Sequence, residues 1–229
     1  MVAVAWVKKP WGQEARATRN PHLTYTFLQI SPGQSTSLHC HPEKTTSLIC
    51  LSGSGSCEFM RATTTIETGA HLSIRNGLFH RVTNTHDSEL LILETENPTS
   101  ADDIVRLHDF YNREELGYES QSNLRPSGSI YQSAVDALMQ GTKAVGRGWA
   151  WEFHPMSKLL IERGNSESRD LYILDTGGIY EERKQKLVLR PGDVVGGYTL
   201  DVLLGRFSWL QESTVLKLTF CDTQELNPT

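Results

Sequence analysis

Short alternations of apolar and polar residues, closed off by Gly, Pro, Asn and Ser, run through both ends of the chain. Period-two alternation of this kind marks a strand with one buried face. The pattern predicts strands at Leu23–Ile30, Thr36–His41, Thr46–Leu51, Ser56–Arg61, His71–Ile74, His80–Asn84 and Leu90–Glu94. Strands so short and so evenly spaced build an antiparallel barrel or jelly roll. The middle of the chain reads differently. Asp102–Glu115 is charged and reads as helical, and Ser120–Pro126 reads as a polar linker. Ser129 is placed to cap a short helix running to Gln140, with Gly141 ending it. Strands are predicted again at Ala150–Phe153, Lys158–Arg163, Leu171–Leu174, Lys186–Leu189 and Thr214–Phe220.

The two β-rich stretches look like copies of one unit. A shift of 123 residues pairs Pro32 with Pro155, Leu48 with Leu171, Leu51 with Leu174, Gly55 with Gly178, Gly69 with Gly192 and Leu93 with Leu216. Identities are few, yet the turn residues fall in register without a gap over most of the span. The expected fold is therefore mainly β: two tandem jelly-roll barrels (double-stranded β-helices) joined by a short helical linker. The first barrel is expected in residues 1–115, the linker in 116–148 and the second barrel in 149–229.

Composition narrows the class. At 229 residues, with 38% hydrophobic and 21% charged residues, the chain can bury a core in each of two small domains. A net charge of −5 and a pI of about 5.9 argue against a general nucleic-acid or anionic-membrane binder. No run reaches the roughly 20 apolar residues of a spanning helix. Met1–Val7 is too short for a signal sequence, and Lys8 and Lys9 follow the apolar stretch instead of preceding it. Cys40, Cys50, Cys57 and Cys221 show neither C-x-x-C nor a disulfide framework, and read as reduced thiols of a cytoplasmic protein.

The chemistry sits on three histidines. His39 and His41 are two apart on a predicted strand, so both face the barrel interior while Cys40 between them faces away. His80 opens a later strand, after the turn Arg75-Asn76-Gly77. Three neutral imidazoles suit one divalent ion of Fe, Zn, Mn, Ni or Co, with positions left open for a substrate.

The residues around these histidines carry a resemblance. Gly33, His39 and His41 read G-x5-H-x-H, and Gly69, Arg75, Gly77, His80 and Asn84 read G-x5-R-x-G-x2-H-x3-N. Together they resemble the two sequence motifs of the cupin superfamily. Lys9-Pro10-Trp11-Gly12-Gln13-Glu14 is similar to the K-P-W-G-x-E signature of cupin sugar-phosphate isomerases. Asp102-Asp103-Ile104-Val105-Arg106-Leu107 resembles the D-D-I-V-R segment that follows the barrel in type II mannose-6-phosphate isomerases. The resemblance covers about residues 6–113. It implies a cytoplasmic, divalent-metal-dependent protein acting on a phosphorylated or nucleotide-linked sugar.

Some positions depart from that pattern. The resemblance implies a glutamate after three or four residues that follow the H-x-H, at positions where this chain has Thr45 and Thr46; the nearest acid, Glu43, follows Pro42. A fourth protein ligand is thus left open. His71, His86 and Glu94 are candidates for a general base by strand position, or else ordinary rim residues. Arg75, Lys44 and Arg81 flank the ligands and either clamp an anionic group of the substrate or are solvated. Trp11 reads as a packing residue. Under the shift, His39, His41 and His80 map to Glu162, Gly164 and Leu203, which cannot rebuild a site. The second barrel is therefore expected to be a degenerate copy that supports the first by packing or by forming a homodimer.

Three functions follow from these residues. The leading one is a metal-dependent sugar-phosphate or nucleotide-sugar isomerase or epimerase with a small anionic sugar as ligand. The others are an Fe(II)-dependent dioxygenase with a three-histidine site and a non-catalytic sugar-binding cupin.

Overall fold

A computed structural model describes residues 6–100, 103–113, 115, 131–146, 148–161 and 169–220. The chain divides into two units, Met1–Asp136 and Ala137–Thr229. The helix α1 (Gln132–Gln140) spans the division. Among the described residues no helix is long and apolar enough to cross a membrane.

Among its described residues the first unit holds eleven strands in two antiparallel sheets. They are β1 (Val7–Lys9), β2 (Gly12–Asn20), β3 (Leu23–Ile30), β4 (Leu38–Cys40), β5 (Thr45–Ser52), β6 (Ser54–Phe59), β7 (Ala62–Glu67), β8 (His71–Ile74), β9 (His80–Asn84), β10 (Leu90–Asn97) and β11 (Val105–His108). One sheet runs β1-β2-β3-β10-β5-β8 and the other β11-β4-β9-β6-β7. This is a jelly roll.

Alternation along the strands divides the interior into an apolar end and a polar end. Leu28 and Ile30 of β3, Leu48 and Cys50 of β5, Leu90 and Ile92 of β10 and Val82 of β9 form one buried cluster. Each such aliphatic side chain removed from water contributes about 2 kcal/mol. Two residues further along the same faces the character changes. β3 continues into Thr26, β5 into Thr46, β10 into Glu94 and Glu96, and β9 begins at His80. Cross-strand pairs confirm the shared face, since Thr26 lies opposite Glu94 and Thr46 opposite Glu96. The apolar end fixes the strand register, and the register sets the positions of the polar groups at the other end.

Gly12 shows how tightly that register is held. It pairs with Ile30 at a φ of 146°, and a Cβ there would lie 2.1 Å from the carbonyl oxygen of Gln29. Only glycine fits this approach.

Three sequence expectations are corrected. Within Asp102–Glu115, expected to be helical, Val105–His108 forms the edge strand β11, pairing with β4 at Cys40, His39 and Leu38. Lys158–Arg163, expected to be a strand, falls largely in the helix α2 (Met156–Ile161), where Met156 and Leu159 are buried in the second unit's core. The 123-residue shift is not constant. Cross-strand partners give 123 from Leu93 to Leu216, 124 from Ile49 to Ile173 and 126 from Phe27 to Phe153.

The second unit contains β12 (Ala144–Gly146), β13 (Trp149–Pro155), β14 (Leu171–Thr176), β15 (Ile179–Glu181), β16 (Lys186–Leu189), β17 (Val194–Gly196), β18 (Ser208–Trp209), β19 (Thr214–Phe220) and a third helix, α3 (Gly197–Arg206). Its larger sheet runs β12-β13-β19-β14-β17, the order of β2-β3-β10-β5-β8. Its smaller sheet, β16-β15-β18, follows the order of β7-β6-β9. The helix α2 lies between β13 and β14, where the first unit has β4, the strand carrying His39. Leu203 lies in α3 and packs against the apolar core, while Glu162 and Gly164 lie outside the described residues. Ser129 and the stretch Ser120–Pro126 also lie outside them.

Candidate metal centre

The three histidines converge at the polar end of the first barrel. β4 and β9 pair at a single point, His39 opposite His80, and His41 follows β4 directly. Ring centroids are 4.5 Å apart for His39–His80, 5.1 Å for His39–His41 and 5.8 Å for His41–His80. One ligand atom from each lies within 4.8 Å of the other two, the group of this kind found among the described residues.

Each ring is held by the same device. His39 Nδ1 donates to the Ser37 carbonyl at 2.8 Å, and His80 Nδ1 to the Leu78 carbonyl at 3.0 Å. His41 Nδ1 donates to the carbonyl of Asp103. A carbonyl only accepts, so Nδ1 carries the proton in all three and Nε2 of the neutral ring keeps a lone pair. Burial pushes all three imidazoles below their usual range, His80 to about 4, so they are uncharged at neutral pH. Buried polar atoms here that have no hydrogen-bond partner include His80 Nε2, Thr26 Oγ1 and Thr46 Oγ1. Buried polar atoms are rarely left so. An uncharged, lone-pair-bearing nitrogen with nothing to bind fits a divalent transition metal.

The turn ahead of His80 is tied to the H-x-H turn. Gly77, at a φ of 73°, donates its N–H to the His41 carbonyl at 2.8 Å, and Asn76 Nδ2 donates to the Pro42 carbonyl at 3.1 Å. The two ligand-bearing segments are thereby fastened to each other.

The histidines line a cavity of about 60 Å³ that is open to solvent at its mouth. Its wall includes Lys9, Trp11 and Glu14 from one motif and Ile104 and Arg106 from the other. These two segments, far apart in the chain, are thus brought together at one cavity. Arg16, Arg113 and Glu94 line it as well. Lys9 Nζ pairs with Glu14 at 3.1 Å, and Arg113 makes a two-pronged pair with Asp109 at 2.9 and 2.8 Å. Burial, then the neighbouring carboxylates of Glu96 and Glu14, push Glu94 up to about 8. It keeps its proton at neutral pH.

The other residues singled out in the sequence lie as follows. Lys44 is buried, 1% exposed, and bonds Glu96 Oε1 at 3.1 Å. Arg81 faces the opposite way from His80: its guanidinium lies over Phe110 at 4.5 Å, bonds His108 Nδ1 at 3.0 Å and meets Glu58 at 3.5 Å. Arg75 is exposed on the β8–β9 turn and is not part of the cavity wall. Glu43 is exposed, its N–H bonded to the Asp103 carboxylate, and His86 is exposed too. His71 shares its face with Ile49, outside the set formed by Leu48 and Cys50. Cys40 lies opposite Val105, and burial raises its thiol above the usual range.

Sequence reasoning missed the cavity cations Arg16 and Arg113 and the acid Glu96. Arg16 lies in β2, a strand too polar to register as one, and Glu96 lies past the end predicted for β10. The even-numbered face of β10, Leu90-Ile92-Glu94-Glu96, was the available signal.

Fold and site together define an antiparallel β-barrel with a three-histidine cluster at its polar end. Residues 26–96 match the family model described as the cupin domain, which supports placing the first unit in the cupin superfamily. No curated protein matches the chain. Among solved structures, the capsular polysaccharide assembling protein CapF from Staphylococcus aureus is 16% identical, with a TM-score of 0.44 over 48% of this chain and 34% of that one. The match thus spans about a third of the CapF chain. KdgF from Halomonas sp. is 14% identical, with a TM-score of 0.39 over 42% of this chain and 88% of that one. A recombinant oxalate oxidase in complex with glycolate is 19% identical, with a TM-score of 0.33 over 37% of this chain and 46% of that one.

Proposed function

We propose that the first unit binds one divalent transition metal per chain on His39, His41 and His80. We further propose that it isomerises or epimerises a small anionic sugar, a sugar phosphate or a nucleotide sugar. One observation carries this reading: all three Nδ1 atoms donate to backbone carbonyls, so three Nε2 lone pairs face one space. A bound ion supplies Lewis acidity to substrate oxygens. The protein supplies the rest. Arg16 and Arg106 offer guanidinium groups to an anion at the cavity wall. Glu94, protonated inside the barrel, is the group placed to give a proton to the sugar and take one back. Trp11 and Leu28 form an apolar side that keeps water away.

The test is elemental analysis of the purified chain combined with turnover of a panel of sugar phosphates and nucleotide sugars. Zinc or manganese near one per chain with an isomerised product supports the proposal. Iron with oxygen consumption would identify a dioxygenase instead. Metal and tight sugar binding without turnover would identify a binding module.

A further inference from the structure

We infer that Glu96 is a fourth protein donor to the ion held by His39, His41 and His80, making the set three nitrogens and one carboxylate oxygen. This rests on the metal reading above and adds a residue to it.

Two acceptor atoms face each other beside the histidine cluster. Glu96 Oε1 lies 3.6 Å from His41 Nε2, and both residues are buried, 2% and 4% exposed. His41 Nδ1 already donates to the Asp103 carbonyl, so in the neutral ring Nε2 is an acceptor. A carboxylate oxygen is an acceptor as well. Two acceptors facing each other in a buried place repel unless a cation lies between them. Donors bonded to one first-row ion at about 2.0–2.2 Å lie about 3.0–3.5 Å apart, close to the separation seen here.

The fold supports the direction of the side chain. Glu96 follows Leu90, Ile92 and Glu94 on the inward face of β10, and Glu94 lines the cavity. Its cross-strand partner is Thr46, whose buried Oγ1 has no hydrogen-bond partner. Two cations hold the carboxylate in place: Lys44 Nζ at 3.1 Å from Oε1, and Arg16 Nη2 at 3.5 Å from Oε2. A carboxylate oxygen carries two lone pairs, so Oε1 can bond Lys44 and still bind an ion. Lys44 thereby acts as a positioning residue. Its positive charge lies beside the ion, so removing it should tighten metal binding while Glu96 remains.

The opposing reading makes Glu96 only the partner of a buried lysine. In that case Glu96→Gln alone would remove the negative charge that faces the buried Lys44 and destabilise the fold, so the decisive pair is Lys44→Met against Lys44→Met with Glu96→Gln. Co2+ titrated into the full chain, followed by calorimetry and visible absorption, reads affinity and donor set together. The double variant should bind Co2+ at least about tenfold more weakly than Lys44→Met, because a lost direct donor costs no less than a lost outer partner. Its absorption spectrum should also change. Equal affinity and an unchanged spectrum would overturn the inference. Should the double variant melt below the titration temperature, Glu96→Asp replaces it; that change keeps the charge beside Lys44 but draws the oxygen back. Weaker binding then supports the donor role, and unchanged binding overturns it. A parent chain that binds no Co2+ would sink the metal reading itself. Metal lost in His80→Ala but kept in the Glu96 variants would sink only the fourth donor.

Discussion

Asp103 holds His41 by its backbone and the chain beside His41 by its side chain. Its carbonyl accepts the His41 Nδ1 proton, while its carboxylate accepts the N–H of Lys44 at 2.8 Å and of Glu43 at 3.0 Å. The segment after β10 is thereby fastened over the H-x-H turn. The carbonyl orients the ring, and the carboxylate keeps that carbonyl where the ring needs it.

Asp103→Ala should therefore weaken metal binding without removing any ligand. Outer partners of metal-bound histidines are worth about 10–100-fold in affinity. The two freed amide N–H groups should also lower stability by about 1–3 kcal/mol. Asp103→Asn, which keeps one acceptor oxygen, should fall between parent and Asp103→Ala. Chelator-competition titration and thermal melts check both effects; parental affinity in Asp103→Ala would show that the carbonyl needs no such support.

The histidines themselves give a simpler expectation. His39→Ala, His41→Ala and His80→Ala should each lose most of the bound metal, since a three-nitrogen cluster cannot spare a donor. The parent should carry about one ion per chain. Elemental analysis settles the count, and a value near two would point to a second site elsewhere in the chain.

The sequence already showed the strands whose ends are marked by turn residues. Leu23–Ile30, His71–Ile74 and His80–Asn84 fall where alternation and turn residues place them. His39, His41 and His80 were readable because strand parity is local and β9 starts at the histidine. Other features depend on partners far away in the chain. Val105–His108 is a strand because β4 offers it an edge to pair with, which no local charge count reveals. Met156–Ile161 is apolar in a run that suits strand or helix equally, and packing in the second unit makes it a helix. Glu96 comes opposite Thr46 only through the register of β10 on β5. Sequence spacing singled out Lys44, Arg75 and Arg81 by nearness to the histidines, whereas the barrel wall brings up Arg16, Arg106 and Arg113.

Asp109 and Arg113 give a prediction about acid stability. Both are buried, and the hydrogen bonds and charge of Arg113 outweigh burial and hold the Asp109 carboxyl below its usual range. The unfolded chain then binds more protons than the folded one as pH falls through the ordinary carboxylate range. The pair's stabilisation is thus present above pH about 4 and is lost as pH falls through the folded value. Asp109→Asn removes the negative charge that faces the buried Arg113 and should cost about 3–5 kcal/mol at pH 7. Its penalty should shrink toward low pH, where the parent loses the same interaction. Urea unfolding of parent and variant across pH 3–7 measures this, and a penalty independent of pH would contradict it.

The last prediction concerns which cation reads the substrate's charge. Arg106 belongs to the cavity wall beside the histidines, on the strand that pairs with β4, its register partner being His39. Arg75 stands exposed on a turn outside that wall. A planar guanidinium makes two parallel bonds to a phosphate, each about twice as strong as a neutral hydrogen bond. Removing it at a partly enclosed site should cost about 2 kcal/mol, or roughly thirtyfold in affinity. Arg106→Ala should thus weaken binding of sugar phosphates about thirtyfold, leave neutral sugars nearly unaffected and keep the metal content of the parent. Arg75→Ala should bind both like the parent, because a solvated turn arginine gains little from a ligand beyond its reach. Calorimetric titration of the metal-loaded chain with paired sugars and sugar phosphates separates the two positions. If Arg75→Ala loses phosphate binding and Arg106→Ala does not, the ligand sits on the outer face of the β8–β9 turn rather than in the cavity. The anion would then lie away from the histidines, and an isomerase reading that needs both groups on one sugar would fail with it.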